Sequence, residues 1–212
     1  MQKADKWREQ ISFYRFFSNE RVKEEDLIRY MQNHCKEYCR EKQHLLLIED
    51  TTELNMEKHR NRIESKDKLG LVGNNVDLGF FCHPTIVVDP TDASLTGIID
   101  LHLWHREEDK ENKEERNYKK QAFESKESWR WAKRAVESRQ QLEEVPTITV
   151  VQDREGDIYE SFCTLGQNNV EWIIRSSHNR LIEGGKLREQ IDNFPKVGEY
   201  DIIINFDNKK TY

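Results

Sequence analysis

An α/β fold, with a mixed sheet flanked by helices, is predicted by three features of the sequence. Two short runs, "HLLLI" at 44–48 and "TITVV" at 147–151, have the length of central strands, and the second is made entirely of β-branched residues. A longer alternating pattern over 80–105 is broken by Asp89-Pro90-Thr91-Asp92 and reads as a hairpin. Amphipathic helical patterns precede and separate these strands.

Taken in order, Trp7, Ile11, Tyr14 and Phe17 and then Leu27, Tyr30, Met31 and His34 recur at helical spacing, so two helices are expected between Asp5 and about Lys42, with a break near "SNERVKEED" and Ser18 as a cap. After the strand at 44–48, residues 55–78 are polar and read as a long loop. The hairpin joins Phe80–Val88 to Thr96–His105, with Ile98, Asp100, His102 and Trp104 expected on one face and Ile99, Leu101, Leu103 and His105 on the other. A charged stretch at 106–121 follows as a solvated loop, and the helix from Ser125 has Trp129, Ala132, Ala135, Val136 and Leu142 as its stripe. A strand at Thr147–Val151, a short helix at Ile158–Leu165, a strand at Val170–Ile174, a weak helix "LREQIDNF" and a strand "EYDIIINF" complete the chain. Antiparallel strands followed by alternating helices and strands give the order of a ribonuclease-H-like sheet. The expected division is a helical region at 1–42, a core at 43–180 and the start of an inserted β region at 181–212.

With 212 residues, 35% charged and 35% hydrophobic, the chain has room for one sizeable core. No apolar run approaches the roughly 18 residues of a membrane span, and "MQKADKWREQ" lacks the apolar centre of a signal peptide. The expectation is a cytoplasmic protein in which Cys35, Cys39, Cys82 and Cys163 are reduced thiols. A net charge of −6 argues at first against a nucleic-acid partner. The charge is uneven, however: 51–105 and 145–170 each carry −3 while the other segments balance, which is what either a cation site or a solvated acidic face produces.

Asp50 and Asp153 each follow an apolar strand pattern. Ligands of open α/β sheets gather beyond strand ends, so if the two strands are neighbours their carboxylates can share a hard divalent cation. The plainer alternative makes Asp153 the N-cap of the next helix.

"HLLLIEDTTELN", "GFFCHPTIVVDP", "GIIDLHLWHRE", "KESWRW" and above all "VVQDREGDIYESF", in this order and spacing, resemble the catalytic core of bacterial insertion-sequence transposases of the DDE type, the cut-and-paste group that forms DNA hairpin intermediates. The likeness extends from "FYRFFSNERV" to "WIIRSSHNRL". It implies a ribonuclease-H-like sheet, two Mg²⁺ ions for which Mn²⁺ can substitute, transposon-end DNA as partner, a nucleoid-associated location and a homodimeric parent enzyme. It makes Asp50 and Asp153 the first two metal-binding, catalytic carboxylates and Arg175 a DNA-contacting residue, with His178 and Arg180 in the same loop. The family's third acid lies in a Tyr-x-x-Arg-x-x-x-Glu pattern, which this sequence lacks. The chain therefore reads as a transposase fragment, inactive by itself. The alternative is a non-catalytic remnant that binds DNA or a transposase and inhibits it.

Other motifs are less specific. His34, Cys35 and Cys39, or His102 with His105, fall short of a zinc set and read as packing. Gly184-Gly185 reads as a turn, and no nucleophile-elbow string accompanies the Ser, His and Asp residues. An actin-like phosphotransferase would need Gly-rich phosphate turns after Asp50 or Asp153, which are absent. Trp129 and Trp172 fall on apolar patterns and are expected in the core, with Trp131 off the stripe.

Overall fold

The computed structural model describes residues 2–63, 68–107 and 122–199. The chain divides into two compact units, Met1–Ser177 and His178–Tyr212. Among the described residues no helix is long and apolar enough to cross a membrane.

The first unit begins with α1 (Gln2–Phe17) and α2 (Glu24–Cys39). Ser18 is not a cap: its amide donates to the Tyr14 carbonyl and closes α1. α2 starts instead from extended Lys23, and Glu24, Glu25 and Asp26 place negative charge on its positive end. Of the stripe read on α1, Trp7, Tyr14 and Phe17 are exposed and Ile11 is half-buried.

A seven-stranded mixed sheet follows. It is built from β1 (His44–Glu49), β2 (Thr52–Asn55), β3 (Gly70–Leu71), β4 (Leu78–Asp89), β5 (Ser94–Trp104), β6 (Thr147–Gln152) and β7 (Glu171–Ile174), with α3 (Trp129–Gln141) and α4 (Tyr159–Gln167) inserted before β6 and β7. β1, β6 and β7 are parallel neighbours, and β4 joins antiparallel to β1, with β5 as its hairpin partner. The stretch 55–78, read as one long loop, begins at the last residue of β2 and contains a 3-10 turn at Glu57–Arg62 and β3. β1 and β2 run along β4 in one register, since Leu46 pairs with Val88 and Thr52 with Cys82. The ladder is interrupted at Asp50-Thr51, opposite Pro84, which has no N–H to donate. That interruption is what releases Asp50 from the sheet.

One face of the sheet is buried. Leu45, Leu47, Val87, Ile148 and Val150 form a continuous core with Cys35 and Cys39 of α2, Ala135 of α3 and Leu165 of α4. A fully buried Leu or Val there contributes about 1.5–3 kcal/mol relative to exposure. Cys35 and Cys39 pack with their sulfurs 3.9 Å apart, and the Cys35 side chain lies so close to Gly97 that a methyl group there would meet it. On the opposite face Leu46, Ile48, Ile86, Val88 and Val151 are only half-buried.

Two expectations about side-chain direction change. In β5 a bulge lets Thr85 pair with Asp100 and Ile86 with Ile98, so Ile99 is the extra residue and the alternation reverses there. Asp100 and Ile99 are both buried, and Ile98 does not share a face with Asp100. In α3 the buried face is Trp131, Ala132, Ala135 and Ser138; Ala132 and Ala135 of the expected stripe are inside, as is Leu142 beyond the helix, but Trp131 takes the buried place expected of Trp129, which is half-buried. Trp131 is 1% exposed, whereas Trp172, on edge strand β7, is 41% exposed.

The second unit holds a small hairpin of β8 (Leu181–Ile182) and β9 (Gly185–Lys186), followed by α5 (Leu187–Gln190). Glu183 and Gly184 form its turn and Gly185 opens β9, the two glycines having φ of +88° and +140°, a backbone that side-chain-bearing residues rarely adopt. His178 and Arg180 lie in this unit, where the Arg180 carbonyl accepts the Leu187 amide. The strand read in "EYDIIINF" and most of the charged run at 106–121 lie outside the described residues.

Candidate functional site

The parallel register aligns three strand ends. Glu49 pairs with Gln152, and Gln152 pairs with Ile174, so the next residues, Asp50, Asp153 and Arg175, form a row beyond β1, β6 and β7. Parallel neighbours are about 4.8 Å apart, which sets the backbone spacing of the two aspartates. Both are exposed. The Asp50 carboxylate accepts only the adjacent Thr51 amide, at 2.8 Å, among the bonds the structure records for it.

Asp153 does not cap a helix. Its side chain makes no capping bond to the 3-10 turn Arg154–Gly156, and α4 starts later, from Ile158. Its recorded partner is Arg175, at 3.4 Å, with the two side chains 52% and 61% exposed. A pair this open is screened by solvent and contributes little to stability. Arg175 itself is anchored through its backbone, its amide donating to the Gln152 carbonyl at 3.1 Å. Asp157 ties the same region together by accepting the Ser177 amide at 2.7 Å and hydroxyl at 2.9 Å.

Immediately behind this exposed row is a buried polar layer that the sequence reading missed. Glu49 accepts hydrogen bonds from Gln152 Nε2 at 2.6 Å and from Thr85 Oγ1 at 3.1 Å, and Gln152 Nε2 also donates to the Trp131 carbonyl at 3.2 Å. A methyl group on Gly156 would strike the Gln152 side chain, so that glycine lets the turn after Asp153 close against it. Burial, opposed by the Gln152 and Thr85 hydrogen bonds, pushes the Glu49 carboxyl up to about 8. Glu49 is thus neutral at pH 7.

His83 completes the layer. Its Nδ1 is 2.9 Å from Thr51 Oγ1, and its ring meets Trp131 edge-on at 4.7 Å. Its Nε2 lies 3.9 Å from Glu49. Thr51, His83 and Glu49 therefore have the order of a nucleophile–base–acid relay, and Thr51 opens on a cleft of about 450 Å³. The electrostatics disable it. Burial, with Arg130, His102 and Arg134 nearby, holds His83 down at about 3, too weak a base for the Thr51 hydroxyl at neutral pH. The neutral Glu49 is also too far to orient the ring. The layer is a structural support for the row in front of it.

The period-two pattern could have revealed this layer, because Glu49 is in phase with Leu45 and Leu47, and Gln152 with Ile148 and Val150. No family model matches the chain, and no curated protein matches it.

Two exposed carboxylates at adjacent strand ends suit Mg²⁺, which is commonly held by one or two carboxylates while water and substrate phosphates supply the remaining oxygens. Among the described residues no group of three or more His, Cys, Asp and Glu side chains is gathered around one point.

Proposed function

We propose that this chain carries part of a ribonuclease-H-like DDE transposase core, whose parent reaction is metal-dependent cleavage and joining of DNA at transposon ends. The observation that supports this reading most is the in-register placement of Asp50 and Asp153 at the ends of two parallel neighbours, with Arg175 at the end of the third. Asp50 and Asp153 would hold Mg²⁺ or Mn²⁺, which when bound supplies activation of water and stabilisation of the leaving oxygen in phosphodiester cleavage. Arg175 would exchange its weak pairing with Asp153 for a phosphate, to which its planar fork is suited. The buried Glu49–Gln152 layer keeps the two strand ends in register without adding charge.

This polypeptide contains no Tyr-x-x-Arg-x-x-x-Glu segment to supply a third carboxylate. By itself it is expected to be inactive. The test is incubation of the chain with transposon-end duplex DNA and Mg²⁺ or Mn²⁺: no nicking beyond that of the Asp50→Ala and Asp153→Ala variants is expected. Metal-dependent nicking abolished by either substitution would overturn the inactivity and establish the site. Metal-dependent nicking that survives both would overturn the assignment of these residues.

A further inference from the structure

The last turn of α2 carries a pair of thiols. Cys35 and Cys39 hold their sulfurs 3.9 Å apart and are 0% and 1% exposed. The Cys35 sulfur is seated against Gly97 of β5, and Leu45, Val87, Leu142 and Val145 belong to the same apolar cluster. Cys39 also lines a cavity of about 150 Å³ between the end of α2 and residues 141–145. Exposed Arg40, Glu143 and Glu144 line that cavity too, so it leads from the surface to the buried pair.

Geometry separates the chemistries open to two such thiols. A disulfide needs Cβ atoms about 3.5–4.5 Å apart. Residues four apart on a helix hold theirs at about 5–6 Å, so α2 would have to distort to form one. Zinc takes four ligands. His34 is turned to the rings of Tyr30 and Tyr38 instead, and among the described residues no third His, Cys, Asp or Glu joins the pair. A soft ion of low coordination number needs neither a distorted helix nor further ligands. Metal–thiolate bonds of about 2.3 Å let two sulfurs on one ion stand up to about 4.6 Å apart, and the observed separation lies within that reach. Among first-row ions, Cu(I) is the one that soft thiolates select.

The two thiols are already polarised toward each other. Their mutual hydrogen bond holds Cys39 down and Cys35 up, and burial adds to the rise of Cys35. Lys36 favours the Cys35 thiolate, and Lys42, itself paired with Asp89, favours that of Cys39. The C-terminal end of a helix also favours a cation. Cu(I) between two thiolates has the same net charge as one proton shared between them, so it adds no charge to the apolar core beyond the half-ionised pair.

We propose that Cys35 and Cys39 form a two-coordinate site for a soft univalent cation, Cu(I) being the first-row case. Each sulfur bonds the ion as its thiolate, any thiol proton it held goes to buffer, and no oxidation state changes. The site goes beyond the strand-end reading and uses none of its residues.

The test uses the whole chain with Cys82→Ser and Cys163→Ser, which removes the other two thiols. It is titrated anaerobically with Cu(I) in competition with the chelator bicinchoninate. One Cu(I) per chain is expected to be withheld from the chelator, with an ultraviolet thiolate-to-copper band and a copper X-ray absorption spectrum fitted by two sulfurs. The melting temperature should rise with Cu(I), because the ion binds the folded pair. Adding Cys35→Ser or Cys39→Ser should abolish both the retention and the rise. Asp50→Ala and Asp153→Ala should retain Cu(I) as the pair-only chain does, so this site and the strand-end site stand or fall separately. No retention against the chelator, retention that persists in either serine variant, or a copper shell of nitrogen and oxygen would overturn the proposal. So would Zn(II) carried through gel filtration by the pair-only chain, which would require a fuller ligand set. Should a serine variant unfold, the thiolate-to-copper band and two-sulfur shell of the pair-only chain decide the matter: their presence upholds the site and their absence removes it.

Discussion

Two pairs of residues at the ends of β1 and β6 are one position apart and live in opposite surroundings. Glu49 and Gln152 point into the core, bonded to each other at 2.6 Å, and burial keeps the glutamate protonated. Asp50 and Asp153 follow them in sequence, yet both are exposed, and the one ion pair recorded for them, Asp153 with Arg175, is long. Of three neighbouring carboxyl groups, Glu49 is thus held neutral beside the Gln152 amide, while Asp50 and Asp153 face solvent. The division comes from the period-two pleat together with the break opposite Pro84.

The largest expected effect falls on the roof of the buried layer. Trp131→Ala removes a fully buried indole that packs on His83, and a loss of about 3–5 kcal/mol in urea unfolding is expected. Trp172→Ala, at a 41% exposed edge position, should cost less than about 1 kcal/mol. Equal losses would break the contrast between the two tryptophans. Next in size, Gln152→Ala leaves Glu49 without its closest donor and should cost about 1–3 kcal/mol.

The pH profile sharpens the same contrast. Glu49 is raised from 4.5 to about 8, so the folded state keeps a proton that the unfolded chain loses. Its contribution to stability is full below about pH 4.5 and is lost as pH rises through 8. His83 falls from 6.5 to about 3, so its contribution is full above 6.5 and is lost as pH falls through 3. Between 4.5 and 6.5 the two slopes oppose each other, and thermal melts should show a plateau there that declines on both sides. Glu49→Gln should remove the alkaline decline and leave the acid one; an unaltered alkaline limb would show that Glu49 is not the titrating group. The smallest expected effect belongs to the exposed pair: Asp50→Ala or Asp153→Ala should shift stability by no more than about 0.5 kcal/mol.

How far these features could be read from the sequence depended on how local their causes were. The strands at 44–49 and 147–152, the hairpin and the paired N-terminal helices follow from short-range pattern. The Asp50–Asp153 pairing needed one further fact, that β1 and β6 are parallel neighbours in matching register, which only the assembled sheet supplies. Ile99 escaped because a bulge is a property of two strands together. Trp131 escaped because Trp129 and Trp131 are equally apolar in the pattern, and only what packs against α3 decides which of the two is inside. Glu49 was hidden by its type: a glutamate at a strand end reads as the start of solvent, although its parity with Leu45 and Leu47 placed it inside.

The central claim is that Asp50 and Asp153 act jointly on one cation while the acid behind them does not. Its most direct test is a Mn²⁺ titration of the whole chain, followed by electron paramagnetic resonance, for the parent, Asp50→Ala, Asp153→Ala and Glu49→Gln. The expected result is a bound signal in the parent that either aspartate substitution removes and Glu49→Gln preserves. No binding by the parent, or binding indifferent to both aspartate substitutions, would contradict it.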